Sequence, residues 1–145
     1  MIYTDKTKKA IKLCYEAHLG QVDKSGLPYV HHPLHLAEQM SDEDTTVVAL
    51  LHDVVEDTRY TLEDLEAMDF GPDIIEAIRV MTHDDSVPYM DYVREIAGNP
   101  IARQVKLADL AHNSDLTRLD HEPTEQDMAR YRKYQEARKI LESTL

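Results

Sequence analysis

Within ten residues, "ALLHDVVEDT" places His52, Asp53, Glu56 and Asp57 among Leu50, Leu51, Val54 and Val55. An imidazole and three carboxylates are groups that ligate divalent cations and move protons, whereas the aliphatic residues between them belong in a core. At helical spacing His52 aligns with Glu56, and Asp53 aligns with Glu56 and Asp57, so the polar groups share one face and the apolar set takes the other. Such a helix brings an acidic face to the wall of a cleft. The ordinary alternative for a charge cluster is a solvated helix face, which the flanking "VVALL" run disfavours. Carboxylates at these spacings repel one another, so a cation should compensate them.

Neighbouring helical positions point about 100° apart, so His52 and Asp53 converge on one ion only where a second helix brings further ligands. "KLADLAHN" offers that helix: Asp109, His112 and Asn113 share a face while Leu107, Ala108, Leu110 and Ala111 can pack. The chain has eight histidines, most of them expected to be ordinary. A shell of histidine and carboxylate without cysteine suits Mn²⁺, Fe²⁺ or Zn²⁺ in an open site rather than a closed structural zinc site. An ion of this kind acidifies water and screens an anionic phosphate from an acidic protein, which makes phosphoester hydrolysis the natural use.

The elements that position these groups read as helices throughout. Thr4 to Leu19 carries Ala10, Leu13, Cys14 and Ala17 at three- and four-residue steps before Gly20. Pro33 suits the first turn of a second helix, with His32 at the cap and an end near Ser41. Ser41 and Asp42 can cap a third helix that runs through Val47, Val48, Leu50, Leu51, Val54 and Val55. Thr61 with Asp64 forms a weaker capping box, and Pro72 opens "PDIIEAIRVMT". "SVPYMDYVREIAG" ends at Gly98, Pro100 begins the helix of "KLADLAHN", and Pro123 stands near the start of a last helix over 123–142, whose Tyr131 and Tyr134 read as packing residues. No strand alternation carries turn chemistry. The expectation is an all-α domain of about seven or eight helices.

At 145 residues the chain is the size of one domain, 1–145, with a single core. A net charge of −12 argues against nucleic acid as a partner and leaves a small nucleotide open. No apolar run approaches the roughly 20 residues that span a bilayer, and none resembles a secretory signal, so no membrane association and a cytoplasmic location are expected. The single Cys14 allows no internal disulfide. Oligomeric state is not legible.

Taken in order, "AHLGQVDKSGLPYVHHPLHLA", "ALLHDVVEDT" and "KLADLAHN" resemble the HD-domain metal-dependent phosphohydrolases, named for the doublet that stands here as His52-Asp53. Within that group they resemble the hydrolase domain of RelA/SpoT-type proteins and the small alarmone hydrolases. The likeness runs from about Ala17 to Leu119, and within 145 residues it leaves no room for a synthetase domain. It implies an HD-type helical bundle in which His32, His52, Asp53 and Asp109 ligate a metal. Mn²⁺ is the family's usual ion, with other divalent transition metals as alternatives. It implies that Glu56 and Asp57 assist the attacking water and proton transfer. By the same resemblance Lys24 and Ser25, in the "KSG" loop, contact substrate phosphate and nucleoside, with Tyr29 and Asn113 also at the substrate. The implied reaction removes the 3′-pyrophosphate of (p)ppGpp, giving GDP or GTP and pyrophosphate. Hydrolysis of another nucleotide or phosphoester is the alternative, and a non-catalytic nucleotide-binding module a further one.

Beside the resemblance, Lys24 and Ser25 also fit an ordinary polar turn, Asn113 a local cap, and His112 a support to the site or a structural histidine. The sequence departs from the family pattern twice. Asp23 stands where a basic residue usually precedes the lysine, and Leu110-Ala111 replaces an Arg-Leu pair, removing one cation beside the metal ligands.

Overall fold

The computed structural model describes residues 1–143. Among them the chain forms α1 (Asp5–Ala17), α2 (His31–Glu38), α3 (Glu43–Leu51), α4 (Val54–Asp57), α5 (Leu62–Ala67), α6 (Pro72–Met81), α7 (Tyr89–Ala97), α8 (Pro100–Asn113), a 3₁₀ turn (Leu116–Arg118) and α9 (Glu125–Glu142). The all-α expectation holds. The helix count rises to nine because the expected third helix is two segments, α3 and the single turn α4.

Helix starts are set by side chains that satisfy the orphan amides of the first turn. Thr4 with Thr7, Thr61 with Asp64 and Thr124 with Asp127 form reciprocal capping boxes. Asp42 accepts from the Thr45 amide, and Asn99 accepts from Ala102 ahead of Pro100. Gly71, at φ +100°, makes the turn into Pro72 that a side chain would resist. The second helix begins earlier than its proline suggested. His31 and His32 already bond back to the carbonyls of Pro28 and Tyr29, so Pro33 lies within the first turn, where its missing N–H leaves nothing unmet. His32 is therefore a helical residue aimed inward rather than a cap.

The core is organised around α3. Every residue from Thr45 to Leu51 is buried, because α1, α2, α6 and α8 all pack against it. Phe70, Ile74, Ile78, Ile96, Leu110 and Leu141 close the remaining space. α9 lies across α7 and α8, and no described helix is long and apolar enough to cross a membrane.

Candidate active site

α3 stops at Leu51 because His52 turns its ring back on the chain. Its Nδ1 donates to the Ala49 carbonyl at 2.7 Å, the oxygen that a continued helix would offer to the amide of Asp53. Asp53 follows with φ −101° and ψ 0°, and α4 begins one residue later. This break corrects the expected single face. His52 does not align with Glu56. It turns inward toward α2 and α8, while Glu56 and Asp57 stay near the surface with Asp53.

Two clusters of groups that could hold a metal ion result, joined at Asp53. In the first, one atom each from His32, His52 and Asp109 lies within 4.8 Å of the others. His32 Nε2 is 2.8 Å from Asp109 Oδ1, and His52 Nε2 is 3.6 Å from that oxygen and 3.1 Å from Asp53 Oδ2. In the second, Asp53, Glu56 and Asp57 bring carboxylate oxygens within the same range. Helices α2 and α8 and the His52 cap of α3 thus supply the inner groups, and Asp53 with α4 supplies the outer ones.

The electrostatics of the inner cluster are those of a cation site. Burial alone would strip the proton from His52, but Asp53 and Asp109 override it and hold that proton well above the ordinary imidazole range. Burial likewise opposes ionisation of Asp109, and Lys106 then holds its carboxyl well below the usual carboxylate range. Lys106 Nζ lies 2.9 Å from Asp109 Oδ2 with both side chains buried. His52 Nε2 is buried without a hydrogen-bond partner, and its lone pair, once unprotonated, faces two carboxylate oxygens and a second imidazole. An unsatisfied nitrogen among anionic donors fits a divalent transition metal.

Beside this cluster lies a cavity of about 360 Å³, walled by the loop carrying Lys24 and Ser25, the end of α8, the 3₁₀ turn and α9. Two of its lining residues reach the clusters, one each. The Tyr29 hydroxyl donates to Asp53 Oδ2, and Asn113 Nδ2 donates to Asp109 Oδ1 at 3.0 Å. One residue, Tyr29 or Asn113, thus stands between the cavity and each of the Asp53 and Asp109 carboxylates. Lys24, Ser25, Tyr29 and Asn113, the four residues expected at the substrate, all line it.

Asp23 has a structural reason. Its Oδ1 accepts from the amides of Ser25 and Leu27, at 2.9 and 3.0 Å, and shapes the loop around Gly26, whose φ is +80°. Its Oδ2 lies 3.7 Å from the guanidinium of Arg118, which also lines the cavity. Arg118 in turn donates to the His112 carbonyl and to Asn113 Oδ1, at 2.9 and 3.3 Å, and its own carbonyl accepts from Ser25 Oγ at 2.6 Å. A cation does stand beside residue 23, but it arrives from the 3₁₀ turn.

Several residues at this site escaped the sequence. Lys106 could have been found from its place one turn before Asp109 in "KLADLAHN", and it sets a cation beside the inner cluster although Leu110 is buried in the core. Arg118 and Arg130 gave no local signal. Tyr131 and Tyr134, read as packing residues, line the cavity, and Tyr134 packs against the core as well.

Comparison with known proteins agrees with this geometry. Residues 10–143 match the family model of the HD domain. The chain is 35% identical to the guanosine-3′,5′-bis(diphosphate) 3′-pyrophosphohydrolase MESH1 of Danio rerio, over 79% of this chain and 71% of that protein. It is 33% identical to the bifunctional (p)ppGpp synthase/hydrolase SpoT of Escherichia coli, over 74% of this chain but only 17% of SpoT. Among solved structures, one described as a metazoan orthologue of SpoT that hydrolyses ppGpp superposes with a TM-score of 0.74. That match has 28% identity and covers 99% of this chain and 87% of the other.

Proposed function

This chain belongs to the HD-domain family, and we propose that it is a metal-dependent hydrolase of (p)ppGpp that releases the 3′-pyrophosphate and leaves GDP or GTP. The supporting feature is the junction made by Tyr29 and Asn113, which line the cavity and bond the carboxylates of Asp53 and Asp109. On this proposal a nucleotide seated in that cavity turns its phosphates toward Asp53 and Asp109. MESH1 of Danio rerio, named for this activity and matched over 71% of its length, supports the substrate.

His32 Nε2, His52 Nε2, Asp53 and Asp109 would hold the cation, Mn²⁺ on this proposal. When bound, a divalent ion supplies positive charge to phosphate oxygens and makes water a stronger acid. The side chains around it have separable tasks. Tyr29 and Asn113 orient the Asp53 and Asp109 carboxylates through their hydrogen bonds. Lys106 neutralises Asp109 through Oδ2, the oxygen that His32 and Asn113 leave unused, which keeps that carboxylate ionised. Glu56 is fixed by the His83 amide, which donates to its Oε1 at 2.8 Å and leaves Oε2 free to take a proton from the attacking water. Asp57 beside it receives or returns that proton.

Substrate anchoring falls to the cavity. Lys24, Arg118 and Arg130 set cations around it in a chain of net charge −12, balanced by Asp23, Asp115 and Asp127, so a phosphate meets positioned donors rather than a diffuse positive field. Tyr131 and Tyr134 offer aromatic faces to a base.

Asp23 on the cavity wall favours a second reading, hydrolysis of a different nucleotide. The test is a panel of nucleotides, ppGpp and pppGpp included, incubated with Mn²⁺-loaded protein while products are resolved chromatographically. GDP or GTP with stoichiometric pyrophosphate supports the proposal. Faster turnover of another nucleotide transfers the assignment to that substrate, and binding without turnover marks a non-catalytic module.

A further inference from the structure

We infer that His112 is a positioning residue that holds His32 in the one tautomer able to ligate a cation, using its own Nδ1 as the acceptor. His32 directs Nε2 into the inner cluster, where Asp109 Oδ1 lies 2.8 Å away. Ligation requires that nitrogen to be bare, which places the ring's single proton on Nδ1. That Nδ1 lies 2.7 Å from His112 Nδ1, and both rings are buried.

The ring geometry shows what kind of contact this is. The two planes differ by 4° and the centroids are 5.0 Å apart. A separation that large, with a nitrogen-to-nitrogen distance of 2.7 Å, is reached only when the bond runs in line between the two ring centres. The imidazoles therefore lie edge to edge in one plane, and the proton of His32 points along the His112 lone pair rather than at its ring face. Of two neutral imidazoles joined this way, one gives and the other accepts. His32 gives, so the proton of His112 sits on its Nε2.

The contrast with His52 explains why this contact matters. His52 Nδ1 is held by the backbone carbonyl of Ala49, an acceptor that no substitution removes. His32 depends on a side chain. That side chain is carried by α8, three residues after Asp109, so one helix delivers both a ligand and the group that orients the ligand opposite it. Arg118 pins this end of α8 through the His112 carbonyl.

The inference rests on the proposal that His32 ligates metal, and its test separates the two. Mn²⁺ affinity is measured by calorimetric titration for the unsubstituted protein, His112→Phe and His112→Asn. Phenylalanine keeps a ring without an acceptor, whereas asparagine keeps an oxygen near the position of Nδ1. The expected result is a 10- to 100-fold loss of affinity for His112→Phe, the usual effect of losing a partner behind a ligand, and retention within about threefold for His112→Asn. Equal affinity in all three, or equal losses in both variants, overturns the inference while leaving the metal site in place. Absence of Mn²⁺ binding by the unsubstituted protein overturns the metal site and the inference together. Nitrogen-15 spectra of the unsubstituted, Zn²⁺-loaded protein give a reading independent of variant folding: His32 shows a protonated Nδ1 and His112 a bare one. The reverse pattern refutes the assignment.

Discussion

Lys106 and Asp109 stand one helical turn apart on α8 and form a buried pair, Nζ to Oδ2 at 2.9 Å, while the other Asp109 oxygen faces His32 and His52. The lysine compensates a carboxylate that would otherwise lie buried near Asp53. Lys106→Met keeps most of the apolar stem and removes the charge, leaving Asp109 with less compensation. Breaking a buried pair from one side costs about 3 kcal/mol or more, so urea unfolding of the metal-free variant should show a loss of that size. Saturating Mn²⁺ should recover part of it, because a cation then faces Asp109 from the other side. An identical loss with and without Mn²⁺ would mean that Asp109 does not belong to the metal site.

The two clusters joined at Asp53 predict that metal binding and turnover can be separated. Asp53→Ala removes an oxygen of the outer cluster that lies 3.1 Å from His52 Nε2 of the inner one, so metal content by elemental analysis and activity should fall together. Glu56→Ala should keep the metal and lower turnover by about 10²- to 10⁴-fold, the range for a lost general base. Loss of metal in the Glu56 variant would place that carboxylate among the ligands.

The pH profile has a sign fixed by the surroundings of Glu56. Burial raises its carboxyl above the ordinary glutamate range, the His83 amide opposes that rise, and Asp53 and Asp57 add to it. Burial and Asp53 raise Asp57 as well. A base acts ionised, so activity should climb with pH along a limb centred above the usual carboxylate values. His83→Pro removes the opposing N–H, and Thr82 before it is already extended, as a residue preceding proline requires. The limb of that variant should move to higher pH in a kcat profile; a move to lower pH would show that the amide does not govern this carboxyl.

Cys14 supplies a readout of the core. It is fully buried on α1, and burial, then Asp53, pushes its thiol up to about 12. The thiolate is the reactive form, so alkylation at pH 8 should proceed only through opening of the fold and should speed up with urea in step with unfolding. Prompt alkylation of native protein would indicate that α1 parts from α3 without global unfolding.

What the sequence revealed and what it hid divide along the range of the interactions. Helix caps are local, and Thr61 with Asp64, Pro72 and Pro100 announced their helices within a few residues. The candidate ligands were legible because His52-Asp53 and Asp109 interrupt otherwise apolar helical faces. The break after Leu51 was not, since it depends on the His52 ring competing for a backbone carbonyl, a contact that hydrophobic periodicity does not encode. Arg118 was hidden for a different reason: the hydroxyl of Ser25 that bonds its carbonyl lies 93 residues away in the chain.

That long-range contact gives the last expectation, and it concerns the residue that departs most from the family pattern. Asp23 and Arg118 together tie the loop of Lys24 and Ser25 to the end of α8: the carboxylate holds two loop amides and the guanidinium reaches the His112 carbonyl and Asn113. Because the pair is only partly exposed and shares these partners, its members should act as a unit. Arg118→Ala should raise KM about tenfold, in line with loss of charge-assisted hydrogen bonds worth about 1.5 kcal/mol, and leave Mn²⁺ affinity within about threefold, since no ligand is touched. Asp23→Ala should raise KM by a similar factor by releasing the Ser25 and Leu27 amides. The double variant should fall short of the product of the two by about 1 kcal/mol of coupling. Strict additivity would mean that the arginine meets the substrate independently of Asp23. An improvement in (p)ppGpp turnover on Asp23→Arg, at the expense of another nucleotide, would instead make Asp23 the determinant that turned this cavity toward that other substrate.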